Sequence, residues 1–201
     1  MINGDKKISL SKVDLKEYLK FYKTEICSFS YKYTLEDNTE IILSFKEENF
    51  SHLLGLHKFK KINSYKVSLN INKDIVENKI ILKDLISKEK NILTPELKDR
   101  IVYFPLLKKL LYNTDTVLKY DLNIIWNSKI EFSFLLKTER ISVIVYLAVK
   151  KISETKKVCI PVSLLVDRNN RFSKMKLKEL KIIGRNIEKK WNTKILKTGE
   201  K

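Results

Sequence analysis

Apolar residues recur along this chain at two spacings, helical at first and alternating later. Leu15, Tyr18, Leu19 and Tyr22 repeat every three to four positions behind Ser11 and Asp14, which predicts a capped helix over 11–23. Residues 26–35 and 39–45 read as two strands joined by the polar turn Glu36-Asp37-Asn38. Ser44 and Glu47 have capping-box spacing ahead of a short helix carrying Phe50, Leu53 and Leu54, with Gly55 as its terminator. Helical patterning resumes over 72–90 with a break at Asn78-Lys79. It continues from Thr94-Pro95, a cap and first position in the right order, to Tyr112, where Pro105 should kink or split it.

Beyond Tyr112 the pattern changes. Segments 117–125, 130–138, 141–150 and 158–166 are rich in Ile, Val, Leu, Phe and Tyr and are separated by polar breaks, as in an antiparallel meander. The alternation at 174–178 and 181–183 extends it or forms a helix. The expected fold class is α+β, with helices packed on a twisted antiparallel sheet. No internal repeat and no Gly/Ser/Pro-rich linker interrupts the chain, so a single domain over 1–201 is expected, with a basic C-terminal segment at 168–201.

Charge narrows the function. Lys plus Arg number 41 against 24 for Asp plus Glu, a formal net of +17. Residues 168–201 hold twelve of the basic and three of the acidic residues, so more than half of the excess lies there. A field of this sign concentrates polyanions, and nucleic-acid phosphate is the natural partner. No apolar run reaches the ~18 residues of a membrane span, and the first residues lack the apolar core of a secretory signal. Cys27 and Cys159 match no zinc or redox spacing and lie in apolar stretches, as buried, reduced thiols of a cytoplasmic protein would.

The only two histidines are His52 and His57. Imidazole can take and give a proton near neutral pH, so a clustered pair is a candidate acid–base couple. On an unbroken helix the rings would stand about 140° apart; a helix ending at Gly55 lets His57 swing into the following turn. The alternative is a core-edge His57 continuing the Phe50/Leu53/Leu54 stripe, with His52 capping the helix or facing solvent. Two imidazoles fall short of the three or four ligands zinc prefers, and no phosphate loop or nucleophile elbow is present, so no metal or cofactor is expected.

The stretch Asn49-Phe50-Ser51-His52-Leu53-Leu54-Gly55-Leu56-His57-Lys58 resembles the signature of a phage-associated branch of the barnase–EndoU–colicin–RelE (BECR) nucleases. Ser128-Lys129-Ile130, Ile160-Pro161-Val162-Ser163 and the Asn-Arg-Phe segment at 170–172 are similar to the same branch, so the likeness spans roughly 20–175. It implies a BECR/RelE-like ribonuclease fold and a metal-independent endoribonuclease of toxin-like, phage or mobile-element origin. His52, His57 and Lys58 would then be catalytic, the histidines sharing the acid and base roles. Lys58, Ser163, Arg168, Arg171 and Lys174 would hold the substrate phosphate. RNA is the expected partner, since the 2′-hydroxyl attacks, and an acidic antitoxin or inhibitor is the expected protein partner. Two other classes stay open: a non-catalytic nucleic-acid binder using the basic face, and a protein-interaction module in phage–host conflict.

Overall fold

The computed structural model describes residues 2, 6–64, 68–120, 132–140, 143–153, 157–169, 172, 175 and 177–190. The expected strand positions 121–125, 130–131 and 141–142 lie outside them, as does the motif at 128–130.

Asp14 opens α1 (Leu15–Phe21), its carboxylate accepting from Lys16 N at 2.7 Å and Glu17 N at 3.3 Å. A π-helical turn over Tyr22–Cys27 follows and buries Tyr22 and Ile26, which continue the helical spacing of Tyr18. Helical periodicity thereby takes the residues expected to start the first strand, and β1 is shortened to Phe29–Leu35. Asn38, at φ +61°, turns the chain into β2 (Glu40–Ser44). Short helices α2 (Asn49–Leu53), α3 (Lys60–Asn63), α4 (Ser68–Val76) and α5 (Leu82–Lys88) come next, with Asn78 at φ +58° dividing the last two. Thr94 caps α6 (Pro95–Tyr103), its Oγ1 accepting from Leu97 N at 3.3 Å. Pro105, which has no N–H for the ladder, separates α6 from α7 (Leu106–Asn113).

The strands β3 (Thr116–Lys119), β4 (Phe134–Arg140), β5 (Val143–Lys151), β6 (Val158–Asp167) and β7 (Lys178–Lys189) follow. The expected alternation at 181–183 thus resolves as a strand and not a helix, while positions 174 and 176 of the alternation before it lie outside the described residues. The expected open antiparallel sheet is corrected here. The seven strands close into a mixed barrel in the order β1-β2-β6-β5-β4-β3-β7. Two pairings make the difference. β7 is long enough to pair with β1 along Phe29–Leu35 and with β3 along Thr116–Lys119, joining the two ends of the sheet. β2 and β6 then meet in parallel at Ile42↔Val158 and Leu43↔Cys159, which closes the ring.

Helices do not simply lie on the outside of this ring. Tyr33 of β1 donates its hydroxyl to Leu111 O of α7 at 2.7 Å, while α7 also packs on β4 and β5 across the barrel. α7 therefore occupies the inner side, where Leu106, Leu107, Leu110 and Leu111 join one apolar cluster with Tyr31, Leu43, Val117, Leu136, Val145, Leu164 and Leu180 from all seven strands. Leu118, Leu135, Tyr146, Ala148, Leu165 and Phe172 form a second cluster on the opposite face of β3–β6. Burial on both faces explains why β5 reads as a nearly continuous apolar run. Burying each large side chain is worth about 1.5–3 kcal/mol. The phenols buried with them keep partners: Tyr18 Oη donates to Ile101 O at 3.2 Å and Tyr22 Oη to Lys46 O at 2.8 Å. Both cysteines are free, Cys159 buried and Cys27 partly so. Among the described residues no helix is long and apolar enough to cross a membrane.

Candidate active site

β2 and β6 stay together for only two residue pairs, and the chain leaving β2 passes directly into α2. Both α2 and α6 pack on β6, covering the part of its edge that β2 has left. This seam in the barrel is where the sequence motif falls. Asn49 Oδ1 accepts from Lys46 N at 2.8 Å and fixes the turn into α2. Phe50, Leu53 and Leu54 enter the core, which turns His52 outward.

Gly55 then ends the helix. It adopts φ +74°, and its N–H donates to His52 O at 2.9 Å. The chain reverses into a single tight turn over Leu56–Lys58. That reversal brings His57 back over His52, with ring centroids 4.6 Å apart and planes within 20° of parallel. A β-carbon at position 55 would lie 2.7 Å from Leu97 Cδ1 and 3.5 Å from Arg100 Cδ of α6. Glycine is required there twice, for the left-handed backbone and for the approach of α6. Gly55→Ala should therefore lower stability by about 2–3 kcal/mol in urea unfolding. Its histidine stack should open as well, visible as a change in imidazole NMR shifts.

The charge around the stack is unusual for a protein surface. Arg100, mostly buried, faces both histidines and Lys58. Burial, followed by the charges of His52, Arg100 and Lys58, pushes His57 down to about 4. His52 is also held below its ordinary value by burial and Arg100, against a hydrogen-bonding contact to the Val162 backbone that favours its charged form. Burial and Arg100 depress the Lys58 ammonium, while Glu96 opposes the shift. The Nδ1 of His57 is buried without a hydrogen-bond partner. The site thus holds two neutral imidazoles beside concentrated positive charge, an arrangement suited to an anion that needs a proton moved.

The other expected residues distribute unevenly. Ser163 is buried on β6 beside Val162, and its Oγ has no hydrogen-bond partner. Arg168, at the far end of β6, donates to both carboxylate oxygens of Asp99 at 2.9 and 2.8 Å and lies over the Tyr103 ring. This bidentate pair staples α6 to β6 and commits much of that guanidinium. Arg171 and Lys174 lie outside the described residues. Arg100 was not among the residues expected from sequence, because it sits far from the motif inside an ordinary amphipathic helix. A signal existed nonetheless: only five of the chain's 41 cations are arginines, and Arg100 is one of them. Among the described residues no group of three or more His, Cys, Asp or Glu gathers to hold a metal ion.

No curated protein and no solved structure matches the chain. A family model described as phage-Barnase-EndoU-ColicinE5/D-RelE like nuclease 4 matches residues 14–198, a span that runs from the cap of α1 past the end of β7 and contains the histidine turn, Arg100 and Ser163. The protein belongs to this phage-associated BECR-like nuclease family.

Proposed function

We propose that the protein is a metal-independent endoribonuclease in which His52 and His57 divide the acid and base roles. One observation carries this reading: two imidazoles stacked at 4.6 Å beside Arg100 and Lys58. A neutral imidazole removes the 2′-hydroxyl proton, and the 2′-oxygen attacks phosphorus. The bond to the 5′-oxygen breaks, and that oxygen leaves with a proton from the second ring. Arg100 and Lys58 hold the non-bridging oxygens as charge builds on them. A donor set of two imidazoles flanked by cations repels a divalent ion and attracts a phosphodiester.

The cations also set the proton inventory. Burial first and the cations after it depress the histidines in the free protein, and a bound phosphate offsets the cations and raises both pKa values. Stacked rings resist double protonation, so between the two apparent pKa values the pair holds one proton, the state that general acid–base catalysis requires. The +17 net charge supports polyanion binding over most of the surface, and an acidic antitoxin or inhibitor is the protein partner such a surface would take. Ser163 of β6 and, farther along the sequence, Arg168, Arg171 and Lys174 belong to this proposal as phosphate contacts.

The test uses an end-labelled RNA and the same RNA with 2′-deoxy residues, both in EDTA. Cleavage of the RNA is expected, leaving 2′,3′-cyclic phosphate ends, while deoxy positions resist. Cleavage of the deoxy strand, or a requirement for divalent metal, would overturn the mechanism. A shifted but intact RNA band would establish a binding protein.

A further inference from the structure

A cleft of about 530 Å³, room for one nucleotide, opens between the chain leaving the histidine turn and the end of α5 with the loop after it. Lys60, Lys88 and Lys90 line it together with Ser87, Asn91 and Ile92. Its one lining carboxylate, Glu89, turns both oxygens to the Lys60 backbone N–H, each at 3.1 Å. Elsewhere exposed lysines are held by acids, as Lys23 is by Glu47 at 2.7 Å and Lys79 by Glu77 at 2.6 Å. Among the described residues the ammonium groups of Lys60, Lys88 and Lys90 meet no carboxylate. The backbone ties this cleft to the histidine pair. Phe59 is extended, at φ −74° and ψ 132°, and wholly buried. Side chains on either side of an extended residue point away from it, so Lys58 and Lys60 both stand on the outer surface, their Cα atoms at most about 7 Å apart. That is close to the spacing of successive phosphates along an RNA strand. The other wall leads through Ile92 to Thr94, the cap of α6, and α6 carries Arg100.

Resting on the nuclease reading above, we infer that this cleft holds the phosphate next to the scissile one, so that the substrate is an RNA strand gripped at two successive phosphates. With Lys58 on the first phosphate, Lys60 stands one step along the strand, and Lys88 and Lys90 approach the same anion from the far wall. An ammonium is a compact charge with three donors, able to follow a phosphate whose orientation varies with the sugar it carries. The exposed Asn91 amide and the half-buried Ile92 give the attached nucleotide one polar and one apolar contact. Contacts to phosphate position a strand and carry no base preference. The cleft therefore selects for length: a substrate with a single phosphate fills the histidine site and leaves the lysines empty.

The test is calorimetric titration of the full chain with 2′-O-methyl oligouridylates carrying one or two phosphates, which the blocked 2′-oxygen protects from cleavage. The second phosphate is expected to tighten binding about tenfold in the parent. Replacing the three cleft lysines together (Lys60→Ala, Lys88→Ala, Lys90→Ala) should erase that step. The same charge removed from α1 and the turn before it (Lys12→Ala, Lys16→Ala, Lys20→Ala) should leave the step in place. All six side chains are exposed, so both variants should keep the circular dichroism of the parent. No step in the parent, or its equal loss in both variants, would overturn the assignment. RNA cleavage by a chain that shows no step would remove this subsite and leave the nuclease reading. A step lost only in the cleft variant, in a chain that cuts no RNA, would support the subsite and remove that reading.

Discussion

His57→Ala is expected to slow single-turnover RNA cleavage by about 10²–10⁴-fold while RNA affinity stays within about twofold, because proton transfer and phosphate binding use different groups. His57 is the better first target of the pair. Its Nδ1 is buried without a partner, and Arg100, Lys58 and His52 all bear on its charge. The pH profile carries a second, independent reading. A base must be deprotonated to act, and His57 is pushed down to about 4 in the free protein. If His57 is the base and His52 the acid, the acid limb of kcat/KM lies near pH 4. The rate falls again on a basic limb set by His52, whose pKa burial and Arg100 hold below its ordinary value. His52→Ala removes one of the charges depressing His57, so any residual activity should show the acid limb displaced to higher pH. If both alanine variants cleave at the parent rate, the imidazoles are not the acid–base couple.

How much of this was legible before any coordinates depends on the range of the interaction involved. Local signals read well: the Asp14 cap, the Thr94-Pro95 start, the break at Asn78 and the stop at Gly55 each stand where backbone chemistry puts them. The clustering of His52 and His57 across a helix-stopping glycine was enough to expect a paired site. Closure of the barrel was hidden because it rests on two remote pairings, β7 with β1 and β2 with β6, whose partners lie more than a hundred residues apart. Alternation in β7 announces a strand without naming its neighbours. Arg168 shows the same limit of range: its position in a basic segment suggests phosphate, and nothing local announces that Asp99, 69 residues earlier, also pairs with it. Arg100 was missed because an arginine on an amphipathic helix reads as solvent-facing until the helix is packed against the Gly55 turn.

Arg100→Ala is expected to cost about 10²–10³-fold in cleavage rate, the loss typical when one preorganised donor to a developing oxyanion is removed. Rate alone would not distinguish a catalytic guanidinium from a structural one, so the histidines serve as reporters. Arg100 lowers the pKa of His52, His57 and Lys58 through its positive charge. Removing that charge must let all three hold protons to higher pH, and the His52 and His57 ring resonances should titrate later in NMR. Arg100→Lys separates charge from shape. It retains the cation, so His57 should stay depressed, yet it lacks the planar fork that grips two phosphate oxygens, and much of the rate should remain lost. Inorganic phosphate supplies the converse experiment. Bound among Arg100, Lys58 and the stacked rings, it should raise the His57 pKa in the parent and far less in Arg100→Ala. A large rate loss with unmoved histidine titrations would place Arg100 outside the reacting cluster, and its effect would then belong to the packing of α6 on the Gly55 turn.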